Sequence, residues 1–338
     1  MRRSLAVLLV LSAGLVAAGC GGSSGSGTTA RLAVPAPAPS TSTPTATPVD
    51  FPSSSGKRLS ELKNGVPEGL ALAPSVSVLQ PGTNRYGFAL FDAARKQVAE
   101  APVALYVSNT DGTGLRGPYL AHSESLRVRP AFQSRTTKVD PDAAKSVYVA
   151  DVPFARGGKF RVTAIAQLDG REVTTTSAGA TVAAPTPSTP PAVGQRAPDV
   201  HTPTLAMVAG DAAQIDTRSP AAKDLLTTDL ASVYGKKPVA LLFATPALCQ
   251  SRVCGPVVDV MEQVRSELGD KNIAFIHNEI YRENRIDQGL RPQPAAYRLP
   301  TEPWLFLLDG KGRVAQRFEG AFSADELKRA IAKLTGQG

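Results

Sequence analysis

The apolar positions of this chain repeat differently in its two halves. Between Leu59 and Val182, short runs alternate apolar with small or polar residues, or stay apolar throughout: LALAPSVSVL (70–79), RYGFALF (85–91), PVALYVS (102–108), SVYVADV (146–152) and KFRVTAIAQL (159–168). Pro81-Gly82, Gly157-Gly158 and Asp169-Gly170 separate them. A period of two lays one face of a strand on a core, and the Gly and Pro pairs supply turns. About six or seven strands in this stretch predict a β-sandwich.

From Val193 onward strands alternate with helices. VALLFAT (239–245), IAFIHNEIY (273–281), WLFLLD (304–309) and VAQRFEG (314–320) read as strands. In VVDVMEQVRSEL (257–268), Val257, Val260, Met261, Val264 and Leu268 recur at three- and four-residue steps. That spacing predicts a helix with one face against a sheet. SADELKRAIAKLT (323–335) opens with Ser323 three residues before Glu326, a capping-box start. Asp309-Gly310-Lys311-Gly312 is placed to join two strands as a hairpin.

Low-complexity segments mark the expected boundaries. Arg2 and Arg3, the apolar run from Leu5 and the small residues Ala17-Ala18-Gly19 before Cys20 form an export signal too short to span a bilayer. Residues 20–57, rich in Gly, Ser, Thr, Ala and Pro, cannot bury enough apolar surface to offset ordering and predict a disordered tether. The expected organisation is a signal peptide (1–19), the tether (20–57), a β-sandwich domain (58–183), a Pro-rich linker (184–192) and an α/β domain (193–338). The chain has 37 Lys+Arg against 29 Asp+Glu, but the basic residues are scattered and aromatics make up only 6%. This argues against a nucleic-acid groove.

Candidate chemistry centres on Cys249 and Cys254, the only cysteines besides Cys20. They follow an apolar strand and precede Gly255-Pro256. Outside the cytosol such a pair persists as a disulfide, and the junction of strand and helix favours a thiolate through unpaired N–H groups and the helix dipole. Residues five apart on one helix point about 140° away from each other. Closure therefore needs Cys249 in the loop before the helix, or an unwound first turn; Pro256 suits the first helical turn. Cys249 is then the exposed attacking thiol and Cys254 its resolving partner, with a static disulfide as the structural alternative.

The motifs around the pair resemble known families. LVAAGC (15–20) resembles the lipobox of bacterial lipoproteins, which implies acylation of Cys20, a lipid anchor in the cell membrane and an extracytoplasmic location. The segment 147–170 looks like the closing hairpin of immunoglobulin-like envelope domains. VGQRAPDV (193–200) resembles the leading segment of peroxiredoxins and of membrane-anchored thiol-disulfide oxidoreductases. Cys254-Gly255-Pro256 resembles the start of the thioredoxin CGPC motif, with Val257 where the second cysteine would stand. Thr245-Pro246-Ala247-Leu248-Cys249 and Cys254-Gly255 together resemble the peroxidatic segment of bacterioferritin-comigratory-type peroxiredoxins, with one extra residue before the first cysteine. The resemblance implies an immunoglobulin-like sandwich followed by a thioredoxin-like domain that acts as a thiol-disulfide oxidoreductase or thiol peroxidase.

It also implies a proline opposite the cysteines. Glu302-Pro303-Trp304, just before WLFLLD, is the candidate substrate groove, with Pro300 competing for the proline's role. Glu302 is unusual there and would disfavour a thiolate across the cleft. Arg252, between the cysteines, is the candidate thiolate-stabilising charge; Arg282, Arg285, Arg291 and Arg298 read as surface charges. His122 reads as a solvated loop residue and His201 as an ordinary polar one. The expected partners are a thiol- or disulfide-bearing protein or a peroxide, the membrane through the N-terminal lipid, and an envelope protein docking on the sandwich. No cofactor and no resident metal is expected. Two other readings stand: an envelope adaptor with a static disulfide, and a copper chaperone resembling the Sco type, with Cys249, Cys254 and His277 as ligands.

Overall fold

The computed structural model describes residues 47–269 and 271–336. The signal peptide, the lipid attachment at Cys20 and most of the tether lie outside them. Among the described residues no helix is long and apolar enough to cross a membrane.

Nine strands form the first sheet: β1 (Glu68–Pro74), β2 (Gly82–Phe91), β3 (Gln97–Val98), β4 (Val103–Asn109), β5 (Arg116–Ser125), β6 (Ser146–Phe154), β7 (Gly158–Leu168), β8 (Arg171–Thr175) and β9 (Ala178–Val182). Four more make the second: β10 (Val239–Phe243), β11 (Ala274–Asn278), β12 (Trp304–Leu308) and β13 (Val314–Glu319). The helices are short except two: α1 (Leu59–Leu62), α2 (Arg135–Val139), α3 (Leu230–Val233), α4 (Cys254–Leu268), α5 (Pro292–Ala296) and α6 (Ala324–Thr335).

The first sheet overturns the expected immunoglobulin-like sandwich. Its strands run β1-β8-β7-β4-β5-β6-β2, and β2 pairs antiparallel with β1, so seven strands close into a barrel. The short β3 extends from β2, and β9 pairs with β7. Closure rests on β1, which pairs with β2 antiparallel and with β8 in parallel. Alternation along a strand tells which side chains face a core and leaves open which strands meet at the ends of the sheet, so sandwich and barrel share one sequence pattern.

Inward residues at period two fill the barrel: Tyr86, Phe88 and Leu90 on β2, Val103, Leu105 and Val107 on β4, Tyr148, Ala150 and Val152 on β6. The opposite faces of two strands are also covered, which explains their unbroken apolar runs. Outside β4, Ala104 and Tyr106 pack with Phe51, Leu59 and Leu62, and the Tyr106 hydroxyl donates to Pro52 O (2.7 Å). The last residues of the expected tether thus lie on the barrel wall. Outside β6, Val147 and Val149 share a cluster with α4 and α6. His122 stands on β5 rather than in a loop, its ring nitrogen 3.1 Å from Glu124 Oε1.

The expected α/β thioredoxin-like domain is corrected as well. The predicted strands and long helices form as elements, but they build a small sheet, ordered β11-β10-β12-β13, in a chain that is mostly β. β10 and β11 are parallel; β12 and β13 are antiparallel to their neighbours. Only one face carries a helical layer, where α4 and α6 cover Ala240, Leu242, Leu305 and Leu307 together with the barrel residues Leu126, Val147 and Val149. The other face packs Leu241, Phe243, Trp304 and Phe306 against Leu230, Tyr297 and Leu299, from single-turn helices and loops. The loop-rich stretch before β10 has too few apolar-periodic residues to form a second helical layer.

Polar contacts also bind the barrel to the second sheet. Arg85 of β2 makes a bidentate pair with Glu326 of α6 (2.6 and 2.8 Å). Ser77 Oγ and Val78 N donate to Glu319 of β13 (2.6 and 2.9 Å), and Glu124 of β5 accepts from Ser323 and from Arg329. In the Pro-rich segment, Pro190 O and Pro191 O accept from Arg317 Nη1 (3.3 and 3.0 Å).

Candidate functional site

The central strand β10 is buried along its whole length and ends in a tight loop carrying Cys249. Leu248 N and Cys249 N both donate to Thr245 O (3.3 and 3.2 Å), and Arg252 N donates back to Cys249 O (3.3 Å). Arg252 takes a left-handed backbone (φ 57°), which turns the chain so that Cys254 becomes the first residue of α4. Cys249 and Cys254 are joined as a disulfide with Cα atoms 6.0 Å apart. The loop placement of Cys249 makes the five-residue spacing closable.

The two sulfurs have different surroundings. Cys254 is 0% exposed, packed among Val257, Val258 and Ala244. Cys249 is half-buried, and the Ser251 hydroxyl donates to its Sγ (3.2 Å). It borders a cleft of about 440 Å³ between the pair's own loop and the β5–β6 connection, whose Thr136, Thr137, Asp140 and Ala143 form the far wall. Gly255 lets α2 come close: a Cβ there would stand 3.0 Å from Thr137 Oγ1. The barrel therefore supplies one side of the access route to the disulfide.

Glu302, Pro303 and Trp304 divide in role. The Glu302–Pro303 peptide is cis, so of the two proline candidates Pro303 is the cis one, and Glu302 lies beside the pair with Oε2 3.7 Å from Cys254 Sγ. Burial pushes its carboxyl up to about 7, against the Tyr281 hydroxyl, which donates to Oε1 (3.3 Å). Trp304 faces away into the core, stacked on Phe306 with ring centres 5.7 Å apart, and its Nε1 donates to Thr301 Oγ1 (3.0 Å). Arg252 lines the cleft, but its guanidinium turns from the sulfurs to Asp140 (2.6 Å) and Asp142 (3.8 Å).

His277 does not join the cysteines. It is buried with Asp216 and Glu279, so the copper ligand set read from the sequence is not assembled. The residues that reasoning from sequence missed are Asp140, Asp216, Glu279 and Tyr281. Only Glu279 carried a readable signal, since it follows His277 by two residues and so shares its strand face. Burial pushes the Glu279 carboxyl up, opposed by the Thr217 donors.

No family model matches this chain, and no curated protein matches its sequence.

Proposed function

We propose that this protein is a thiol-disulfide exchange enzyme in which Cys249 meets the substrate and Cys254 resolves. The supporting observation is the asymmetry of the pair: Cys249 opens on the cleft, while Cys254 is buried with the Glu302 carboxyl 3.7 Å from its sulfur.

Starting from the disulfide, a substrate thiolate attacks Cys249 Sγ. The Cys249–Cys254 bond breaks, a mixed disulfide forms, and the leaving Cys254 thiolate takes a proton from neutral Glu302. A second substrate thiolate then attacks its own sulfur in the mixed disulfide and releases the Cys249 thiolate. Two electrons pass from the substrate dithiol to the protein. In reverse, the Glu302 carboxylate accepts the Cys254 proton as that thiol attacks Cys249 Sγ and expels the substrate. A group whose pKa is near neutrality serves both directions. The positive end of α4 also steadies a Cys254 thiolate.

The test is exchange between the oxidised protein and a peptide dithiol, followed by trapping. Exchange by the wild type, its loss in Cys249→Ser and a covalent peptide adduct in Cys254→Ser support the reading. A pair that exchanges no faster than the uncatalysed background, with no adduct, marks a static disulfide and returns the protein to the adaptor reading. A sulfenic acid on Cys249 of the reduced protein under micromolar hydrogen peroxide would instead place the same residues in peroxide reduction.

A further inference from the structure

Beneath the cysteine loop lies a buried group unused by this chemistry. His277 near the end of β11 and Glu279, one residue past it, face the same way, and Asp216 meets them from the segment before α3. One ligand atom from each lies within 4.8 Å of the others, and the three residues are 1–3% exposed.

The hydrogen bonds decide how these groups present themselves. His277 Nε2 stands 3.0 Å from Ala244 O. A carbonyl only accepts, so Nε2 carries the proton and Nδ1 of the neutral ring is a bare lone pair. Nδ1 has no hydrogen-bond partner and faces Asp216 Oδ1 at 3.7 Å. Glu279 Oε2 has none either, nor does the neighbouring Thr245 hydroxyl. His277 Nδ1 and Glu279 Oε2 thus lie unpartnered beside Asp216, with the Thr245 hydroxyl able to serve only Glu279, and a bare ring nitrogen among buried carboxylates is costly unless a cation sits there.

The outer atoms are already held. Asp216 Oδ1 and Oδ2 accept from Arg218 N (2.8 Å) and Ala222 N (2.7 Å). Glu279 Oε1 accepts from Thr217 N (2.6 Å) and Thr217 Oγ1 (2.7 Å). Arg291, whose charge acts on Glu279, donates to Tyr281 O, Gln214 O and Asn284 Oδ1. Arg218 pairs with Asp259 and Glu262. A histidine donating its second nitrogen to a backbone carbonyl, beside carboxylates pinned by N–H groups, is the outer arrangement of metal ligands.

We propose that Asp216, His277 and Glu279 hold a divalent first-row transition-metal ion, of the zinc or manganese class, as a structural part of the fold. One imidazole and two carboxylates suit such ions, and the two negative charges match the ion's two positive ones. The ion bears on the cysteine loop through Thr217, whose hydroxyl donates to Glu279 and accepts from Ala247 N (3.0 Å).

The test is the metal content of the full chain isolated from cells supplied with Zn2+ and Mn2+. The expected result is close to one ion per chain, retained in the Cys249→Ser/Cys254→Ser double variant and reduced more than about tenfold in His277→Gln. Should His277→Gln not fold, X-ray absorption at the metal edge of the wild type decides: nitrogen and oxygen ligands including one imidazole are expected, and sulfur ligation overturns the proposal. A wild type isolated without metal overturns it too.

Discussion

Glu302 Oε2 stands 3.7 Å from Cys254 Sγ, and burial holds that carboxyl at about 7 rather than at its ordinary 4.5. Between those values the folded chain holds a proton the unfolded chain has lost. Stability from this group is therefore present below about pH 4.5 and is lost as pH rises through 7. Glu302→Gln should flatten that slope, read as the urea midpoint against pH. In exchange, the step in which Cys254 leaves should slow above pH 7 in the wild type and lose this inflection in Glu302→Gln.

Exposure ranks the thiols. After reduction, Cys249 should alkylate at least about tenfold faster than Cys254, which is wholly enclosed. Peptide mapping after brief iodoacetamide treatment reads the ratio; equal labelling would remove Cys249 as the attacking residue.

The Arg252–Asp140 pair spans the cleft between the cysteine loop and the barrel's β5–β6 connection. Arg252 is half-exposed (49% for its side chain), so the pair contributes at most about 1 kcal/mol to stability. Asp140→Ala should leave the unfolding midpoint nearly unchanged while raising the alkylation rate of Cys249 severalfold. An unchanged rate would mean that this wall does not restrict access.

Glu124 ties β5 to α6. Burial works against its charge, but the His122 and Ser323 hydrogen bonds and the Arg329 charge win and hold it down at about 2. Its contribution is present above about pH 4.5 and disappears as pH falls toward 2. Glu124→Gln should cost about 1–3 kcal/mol at pH 7. The gap to wild type should close on acidification, measured by denaturant unfolding at pH 7 and pH 3.

Several elements were legible because their causes are local. The helix periodicity of Val257, Val260, Met261 and Val264 and the N-cap of Ser323, whose hydroxyl accepts from Glu326 N, depend on neighbours a turn away, and α4 and α6 form there. The Glu326 carboxylate pairs with Arg85 instead of closing the expected capping box, and Leu268, expected on the buried face, is exposed. For Cys249 and Cys254, disulfide reach narrowed the choice to a loop placement of Cys249 or an unwound first turn, and the structure shows the loop placement. Asp140 was not, since it reaches Arg252 from 112 residues away. His277 looked like a companion of the cysteines by residue type, and its partner Asp216 comes from a loop with no periodicity to read.

The sequence alone determined the four strands of the second sheet, several barrel strands and the two long helices, because each follows from side-chain period. It left β5, β8 and β9 unread, and backbone reach narrowed the cysteine closure to a loop or an unwound turn. Only the tertiary structure decided that β1 closes seven strands into a barrel rather than leaving two sheets. It alone set a barrel loop over Cys249, the Glu302 carboxyl against Cys254, and Asp216, His277 and Glu279 around one buried point. Strand closure and the meeting of distant polar groups depend on which surfaces exclude water together, and no local pattern along the chain encodes that.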